Sequence, residues 1–154
     1  MERLNFSWVL PNQPVGAAGP TTDEDLFFLK EKGVSVLVRL AEKHKAKVTA
    51  EQVVKAGLKD IHEPVADFCA PSQEQIDRIV EFVKDSLSSG KIVAVSCGQG
   101  IGRTGTILLC ILISLCYTIN DAIETVERNR GKAWEVEEQH QAILTYARRI
   151  GKRG

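Results

Sequence analysis

The sequence predicts an α/β fold, with a central, mostly parallel sheet flanked by helices and a helix-rich C-terminal half. Three features point to it. Strand-like and helix-like segments alternate through the first two thirds of the chain. Two strand-like runs, Val34 to Leu40 and Ile92 to Val95, are almost uniformly apolar instead of alternating, as strands covered on both faces are. Beyond Gly102 helical periods follow one another with no strand between them.

Leu4 to Leu10 reads as a first strand ending at Pro11, followed by an irregular Gly/Pro-rich stretch to Pro20. Thr22-Asp23-Glu24-Asp25 opens an acidic first helical turn, and Gly33 stops that helix. The strand from Val34 comes next. Thr49 and Gln52 then have capping-box spacing for a short helix closed by Gly57, and a brief strand spans Leu58 to His62. A loop runs through Glu63-Pro64-Val65-Ala66-Asp67-Phe68-Cys69-Ala70-Pro71. Ser72 and Gln75 form a second capping box, with Ile76, Ile79, Val80, Val83 and Leu87 at helical spacing before Gly90. After the Ile92 strand and a glycine-rich turn come an apolar helix to about Cys116, a helix opened by Asn120, and a last helix from about Trp134 to Ile150.

The 154 residues fit one domain, read as residues 1–154, and 44% hydrophobic with 26% charged content supports an ordinary core rather than disorder. Twenty basic residues balance twenty acidic ones, so no overall field draws the chain to nucleic acid or anionic membrane. Any anion site must be local. No signal-peptide pattern opens the sequence, and the apolar run from Ile107 to Ile119 is shorter than the ~18–20 residues that span a bilayer. The cysteines, Cys69, Cys97, Cys110 and Cys116, form no C-x-x-C pair. A disulfide framework or zinc site is therefore not expected, and a reducing cytoplasmic setting, with the nucleus as a second one, is. Cys110 and Cys116 are expected in the core of the apolar helix.

Chemistry concentrates in the turn Cys97-Gly98-Gln99-Gly100-Ile101-Gly102-Arg103-Thr104-Gly105, between a buried strand and an apolar helix, where α/β sheets place ligands. Glycines at 98, 100, 102 and 105 let the backbone curl so that N–H groups from Gly98, Gln99, Gly100, Ile101 and Gly102 converge on a dianion at a helix N-terminus. Arg103 adds a planar, bidentate fork. A thiol in such a concavity ionises at about pH 3.5–7.5, so Cys97 is expected as a thiolate at neutral pH. A thiolate facing a phosphoryl group implies attack at phosphorus and a cysteinyl-phosphate, with Thr104 donating its hydroxyl to the sulfur as it leaves. The structural alternative, a buried cysteine among glycines that merely turn the chain, leaves Arg103 at the start of an apolar helix unexplained. The leaving oxygen needs a proton and the intermediate needs a base, and Asp67, in the loop between Pro64 and Pro71, is the candidate for both steps.

The turn from Cys97 to Gly105 resembles the phosphate-binding signature of the Cys-based protein tyrosine phosphatase superfamily. Asp67-Phe68-Cys69-Ala70-Pro71 resembles its general-acid loop, and the spacing of about thirty residues matches the small atypical dual-specificity branch. Similarity extends to Asn5-Phe6-Ser7-Trp8-Val9-Leu10-Pro11 and Gln75-Ile76-Asp77-Arg78, nearly the whole chain. The resemblance implies a dual-specificity-phosphatase-like fold and cofactor-free, metal-independent hydrolysis of phosphotyrosine and phosphoserine or phosphothreonine. The expected partners are phosphoproteins or phosphopeptides, with no nucleic acid and no membrane, and the expected state is a monomer. By resemblance Cys97 is nucleophile, Arg103 binds phosphate, Thr104 assists sulfur departure and Asp67 is acid then base. Glu135 and Gln139 match positions that place the hydrolytic water; otherwise they are two polar residues at i, i+4 on an exposed helix face.

Three departures stand out. Ser96 occupies the place of the histidine that usually precedes the nucleophile, Ala66 replaces a common proline, and Arg130-Gly131-Lys132 stands where relatives show Arg-Pro-Gly. The first raises a second function, a pseudophosphatase that binds phosphoproteins with little turnover, against which the joint presence of Cys97, Arg103, Thr104 and Asp67 argues. A phosphoinositide or RNA 5′-phosphatase is a third, disfavoured because Gly98, Gln99 and Ile101 bring no cation to the loop. His44, His62 and His140 read as isolated surface or core residues, and Trp8 and Trp134 as packing residues. Lys43-His44-Lys45-Ala46-Lys47 and Arg148, Arg149, Lys152 and Arg153 read as solvated charges.

Overall fold

The computed structural model describes residues 6–10, 13–98 and 101–151. Leu4, Asn5, Pro11, Gln99, Gly100, Lys152 and Arg153, all part of the sequence reading, lie outside the described residues. In chain order the elements are β1 (Ser7–Leu10), β2 (Gln13–Ala18), α1 (Asp23–Glu31), β3 (Val34–Arg39), α2 (Ala50–Lys55), β4 (Lys59–His62), α3 (Gln73–Ser88), β5 (Ile92–Cys97), α4 (Gly102–Ser114), α5 (Ile119–Arg130) and α6 (Glu137–Arg149). The sheet order is β1-β2-β5-β3-β4, with β1 antiparallel to β2 and every other neighbouring pair parallel. This is the expected α/β architecture.

One strand was not expected. The stretch read as irregular is β2, which pairs with both β1 and β5. Pro14 and Gly16 argue locally against a strand, but pairing with β5 begins only at Val15, so the missing N–H of Pro14 falls ahead of that ladder. Gly16 marks a close approach by the Arg130 side chain.

β5 lies between β2 and β3, and its alternation distributes residues to two cores. Val93, Val95 and Cys97 face a layer that includes Ile76 and Ile79 of α3, Leu108 and Ile111 of α4, Val126 of α5 and Ile143 of α6. Ala94 faces the other way, with Leu26 and Leu29 of α1 and Val53 of α2. Ser96 and Cys97 therefore leave the strand on opposite faces. α4 is buried continuously from Gly102 to Ile113, which is why its sequence is apolar all round. Its N-terminus is thus held rigidly against the end of β5.

The expected caps are present: Thr49 with Gln52, and Ser72 with Gln75, close reciprocal capping boxes. Two helix starts differ. α5 is opened by Thr118, whose hydroxyl accepts the Asp121 N–H at 3.1 Å, and not by Asn120. α6 begins at Glu137 instead of Trp134, because Gln139 reaches back to accept the Glu135 N–H at 2.8 Å and holds the preceding segment extended. Cys116 is also not in the core. It lies beyond α4, exposed, with φ of 78°.

Candidate active site

Cys97 ends β5 with only 2% of its surface exposed. Thr104, in the first turn of α4, donates its hydroxyl to the Cys97 sulfur at 3.0 Å. The neighbouring Arg103 is also buried, and its guanidinium spans two segments: Nη1 donates to the Val65 carbonyl at 2.8 Å, and Nη2 lies 3.4 Å from Asp67 Oδ1. Asp67, 42% exposed, is thereby held at the rim beside the group read as the phosphate fork. Cys97, Arg103, Thr104 and Asp67 come together as the sequence suggested.

Glu135 and Gln139 join them. Gly102 donates its N–H to Glu135 Oε1 at 3.1 Å, so a carboxylate caps the α4 N-terminus, where the helix dipole favours an anion. This differs from the reading of Gly102 as a donor to phosphate. Gln139 is fully buried; besides the Glu135 N–H it engages the acid loop, donating Nε2 to the Cys69 carbonyl at 3.2 Å. The alternative of an exposed i, i+4 pair is therefore wrong: Glu135 precedes the helix and Gln139 points inward. The glycines also act differently from expectation. None of Gly98, Gly102 and Gly105 takes a positive φ; a Cβ on Gly102 would collide with Glu135 and Gln139, and one on Gly105 with the Ala133 carbonyl. They permit close approach. Gly98 and Ile101 flank the stretch that contains Gln99 and Gly100.

The acid loop is tied down by side chains to which the sequence reading gave no such role. Glu42, in the loop after β3, accepts the Asp67 N–H at 3.1 Å, and Glu138 accepts the Ala70 N–H at 2.9 Å. At the loop's stem, Gln75 Nε2 donates to the Pro64 carbonyl at 3.0 Å and Arg78 pairs with Glu63 at 2.9 Å. Phe68, 58% exposed, takes a φ of 61°, a strained conformation for an aromatic residue that these ties enforce. His44 and Lys45 flank Glu42 at 3.4 and 3.5 Å, so that basic run is partly a support for the loop. His140 is not isolated either, since Trp134 stacks on it at 4.4 Å.

The Asp67 backbone N–H is the main reason that the Glu42 carboxyl sits below its ordinary 4.5; Arg78 does the same for Glu63. A lowered carboxylate stabilises the loop fully above the ordinary value and loses that contribution as pH falls through the lowered one. Glu42→Ala is therefore expected to reduce kcat several-fold, with KM little changed, and to make the rate at pH 7 resemble that of the unmodified protein in acid. Steady-state kinetics from pH 4 to 7 check it.

Ser96 lies on the other side of the sheet, where its hydroxyl donates to the Val38 carbonyl at 3.4 Å. It opens onto a cavity of about 220 Å³ that also touches Cys97 and is walled by Pro20, Ala41 and Val48. Among the described residues no cluster of three or more His, Cys, Asp or Glu side chains is arranged to hold a metal ion.

Comparison with known proteins agrees with this fold. A family model described as polymorphic toxin system, DSP-PTPase phosphatase, matches residues 14–116. The tyrosine-protein phosphatase cdc-14 of Caenorhabditis elegans is 30% identical over 123 residues, 71% of this chain and 16% of that protein. The phosphatidylglycerophosphate phosphatase PTPMT1 of Arabidopsis thaliana is 35% identical over 86 residues, 55% of this chain and 26% of that protein. The chain thus spans well under half the length of these two relatives. The crystal structure of Tk-PTP in its active form superposes with a TM-score of 0.88 at 26% identity, covering 95% of this chain and 98% of that one.

Proposed function

The chain belongs to the DSP-PTPase phosphatase family, and from that premise we propose that it hydrolyses phosphotyrosine and phosphoserine or phosphothreonine in proteins through a cysteinyl-phosphate. The observation that carries this reading is the shared placement of Thr104 on the Cys97 sulfur and Asp67 on Arg103. In the first step the Cys97 thiolate attacks phosphorus as the bond to the ester oxygen breaks. Asp67 gives that oxygen its proton, and Arg103 with the loop amides holds the equatorial oxygens. In the second, the Asp67 carboxylate takes a proton from water, whose oxygen attacks phosphorus, and the sulfur leaves as a thiolate received by the Thr104 hydroxyl. Glu135 and Gln139 meet at the α4 N-terminus, and in this reading, by the family resemblance, they are the residues assigned to placing that water. In this reading backbone amides and the Arg103 guanidinium neutralise the phosphate charge, and no step is assigned to a metal.

Protein phosphate is favoured over lipid headgroups because Gly98, Gln99 and Ile101 add no cation for a highly charged substrate. Initial rates on a phosphotyrosine peptide, a phosphothreonine peptide and inositol phospholipid vesicles, each with and without chelator and vanadate, test the reading. The expected result is peptide turnover that ignores chelator and stops with vanadate. Turnover confined to the vesicles overturns the substrate class. A rate abolished by chelator and restored by magnesium overturns the mechanism, and absence of all turnover leaves a phosphoprotein-binding module.

A further inference from the structure

The parallel strands β2, β5 and β3 end side by side, and the cavity at their carboxyl ends on the Ser96 side plays no part in the cysteinyl-phosphate steps. Its floor is buried. Ser96 and Arg39 are paired in register and so share a face of the sheet, with Cys97 beside them. Pro20, Ala41, Ala46 and Val48 give it apolar walls, and the exposed Lys45 and Lys47 form its mouth. Among the described residues no Asp or Glu lines it.

One wall is held against the phosphate turn. Gly19 donates its N–H to the Gly98 carbonyl at 3.0 Å, and a Cβ on Gly19 would meet the Cys97 carbonyl at 2.8 Å, so the loop after β2 is pressed against the residues that begin the nest. A substrate whose phosphate occupies the nest has this cavity immediately beside it.

Charge decides what kind of group can enter. Three carboxylates stand behind the lining, and each is engaged: Asp60 with Arg39, Glu42 with Lys45, and Asp25 with the N–H and hydroxyl of Thr21. Lys47 has no carboxylate partner among the described residues. Arg39 has donors to spare, because Nε and Nη2 donate to Asp60 and Nη1 to Val48, which leaves one N–H on each Nη nitrogen. Apolar walls, spare guanidinium donors and one unpaired lysine suit a monoanion on a short aliphatic stem. A second phosphate, with two charges, would be left incompletely neutralised.

Resting on the phosphoprotein reading, we propose that this cavity is a substrate subsite for the side chain of a glutamate close to the phosphoresidue, with Lys47 as its specificity-determining residue. The glutamate methylenes lie along Pro20, Ala46 and Val48, and the carboxylate meets Lys47 with the spare Arg39 N–H groups behind it. Lys47 is also the residue that can be changed cleanly. Removing Lys45 would free Glu42, which holds the Asp67 N–H, and removing Arg39 would strand the buried Asp60.

The test is a set of phosphotyrosine peptides, uncharged apart from the phosphate, with glutamate or glutamine at each position from two before to two after the phosphotyrosine. The readout is kcat/KM for glutamate over that for glutamine, taken within each protein, and circular dichroism verifies that each variant is folded. The unmodified protein is expected to favour glutamate about fivefold at one or more positions, through KM, and to lose most of that preference in high salt. Lys47→Ala is expected to bring the ratio to about one, and Lys47→Glu to invert it and favour a lysine peptide at the same position. Ala46→Phe, which fills the cavity and keeps every charge, should lower the ratio as well. A ratio near one at every position in the unmodified protein, or a ratio that Lys47→Ala and Lys47→Glu leave unchanged, overturns the proposal while peptide turnover upholds the phosphoprotein reading. Turnover of inositol phospholipid vesicles and of no peptide removes that reading and the subsite with it.

Discussion

Cys97→Ser is expected to lower turnover by at least about 10³-fold while leaving phosphate binding close to normal, because the hydroxyl is a far poorer nucleophile but the rest of the site is untouched. Arg103 is held by Val65 and Asp67, and Gly102 by Glu135; none of these contacts involves the sulfur. Thr104 loses a sulfur acceptor and gains an oxygen at the same place. Turnover and calorimetric titration with inorganic phosphate, on the same preparation, separate the two effects. Loss of both together would mean that the substitution had disturbed the loop, and loss of neither would identify another nucleophile.

Asp67→Asn is expected to slow substrates with poor leaving groups by about 10²–10⁴-fold and nitrophenyl phosphate much less, since only a basic leaving oxygen depends on the donated proton. Asp67 is 42% exposed and Arg103 is held as well by the Val65 carbonyl, so the contact between them contributes little to stability and the melting temperature should barely move. A plot of rate against leaving-group acidity is the measurement. The unmodified protein should give a shallow slope and the variant a steep one. Parallel lines would remove Asp67 from the acid role, and Glu135, the other carboxylate at the α4 N-terminus, would be the next residue to test.

What the sequence revealed of this site follows from how local its causes are. Cys97, Arg103 and Thr104 belong to one continuous turn, and periodicity alone places that turn between β5 and α4. The caps of α2 and α3 were equally readable, because a capping box is closed by residues three apart. β2 was missed because its glycine answers to Arg130, more than a hundred residues away. The same holds for the buried pair of Arg39 with Asp60, joined at 3.0 Å across two strands, and for Glu42, whose hold on Asp67 needs the β3 loop to fold over the acid loop. Gln139 looked like surface because its helix is amphipathic and polar at that position. Only the tertiary contact with Cys69 and the Glu135 amide shows why a glutamine is buried there.

The covalent intermediate tests the whole account most directly. The protein is mixed with a ³²P-labelled aryl phosphate, quenched in acid within the first turnover, digested and mapped. The account expects label on the peptide that carries Cys97, at a stoichiometry that rises when Asp67→Asn slows the second step. Label on any other residue, or steady turnover by protein whose Cys97 has been fully alkylated, would contradict it.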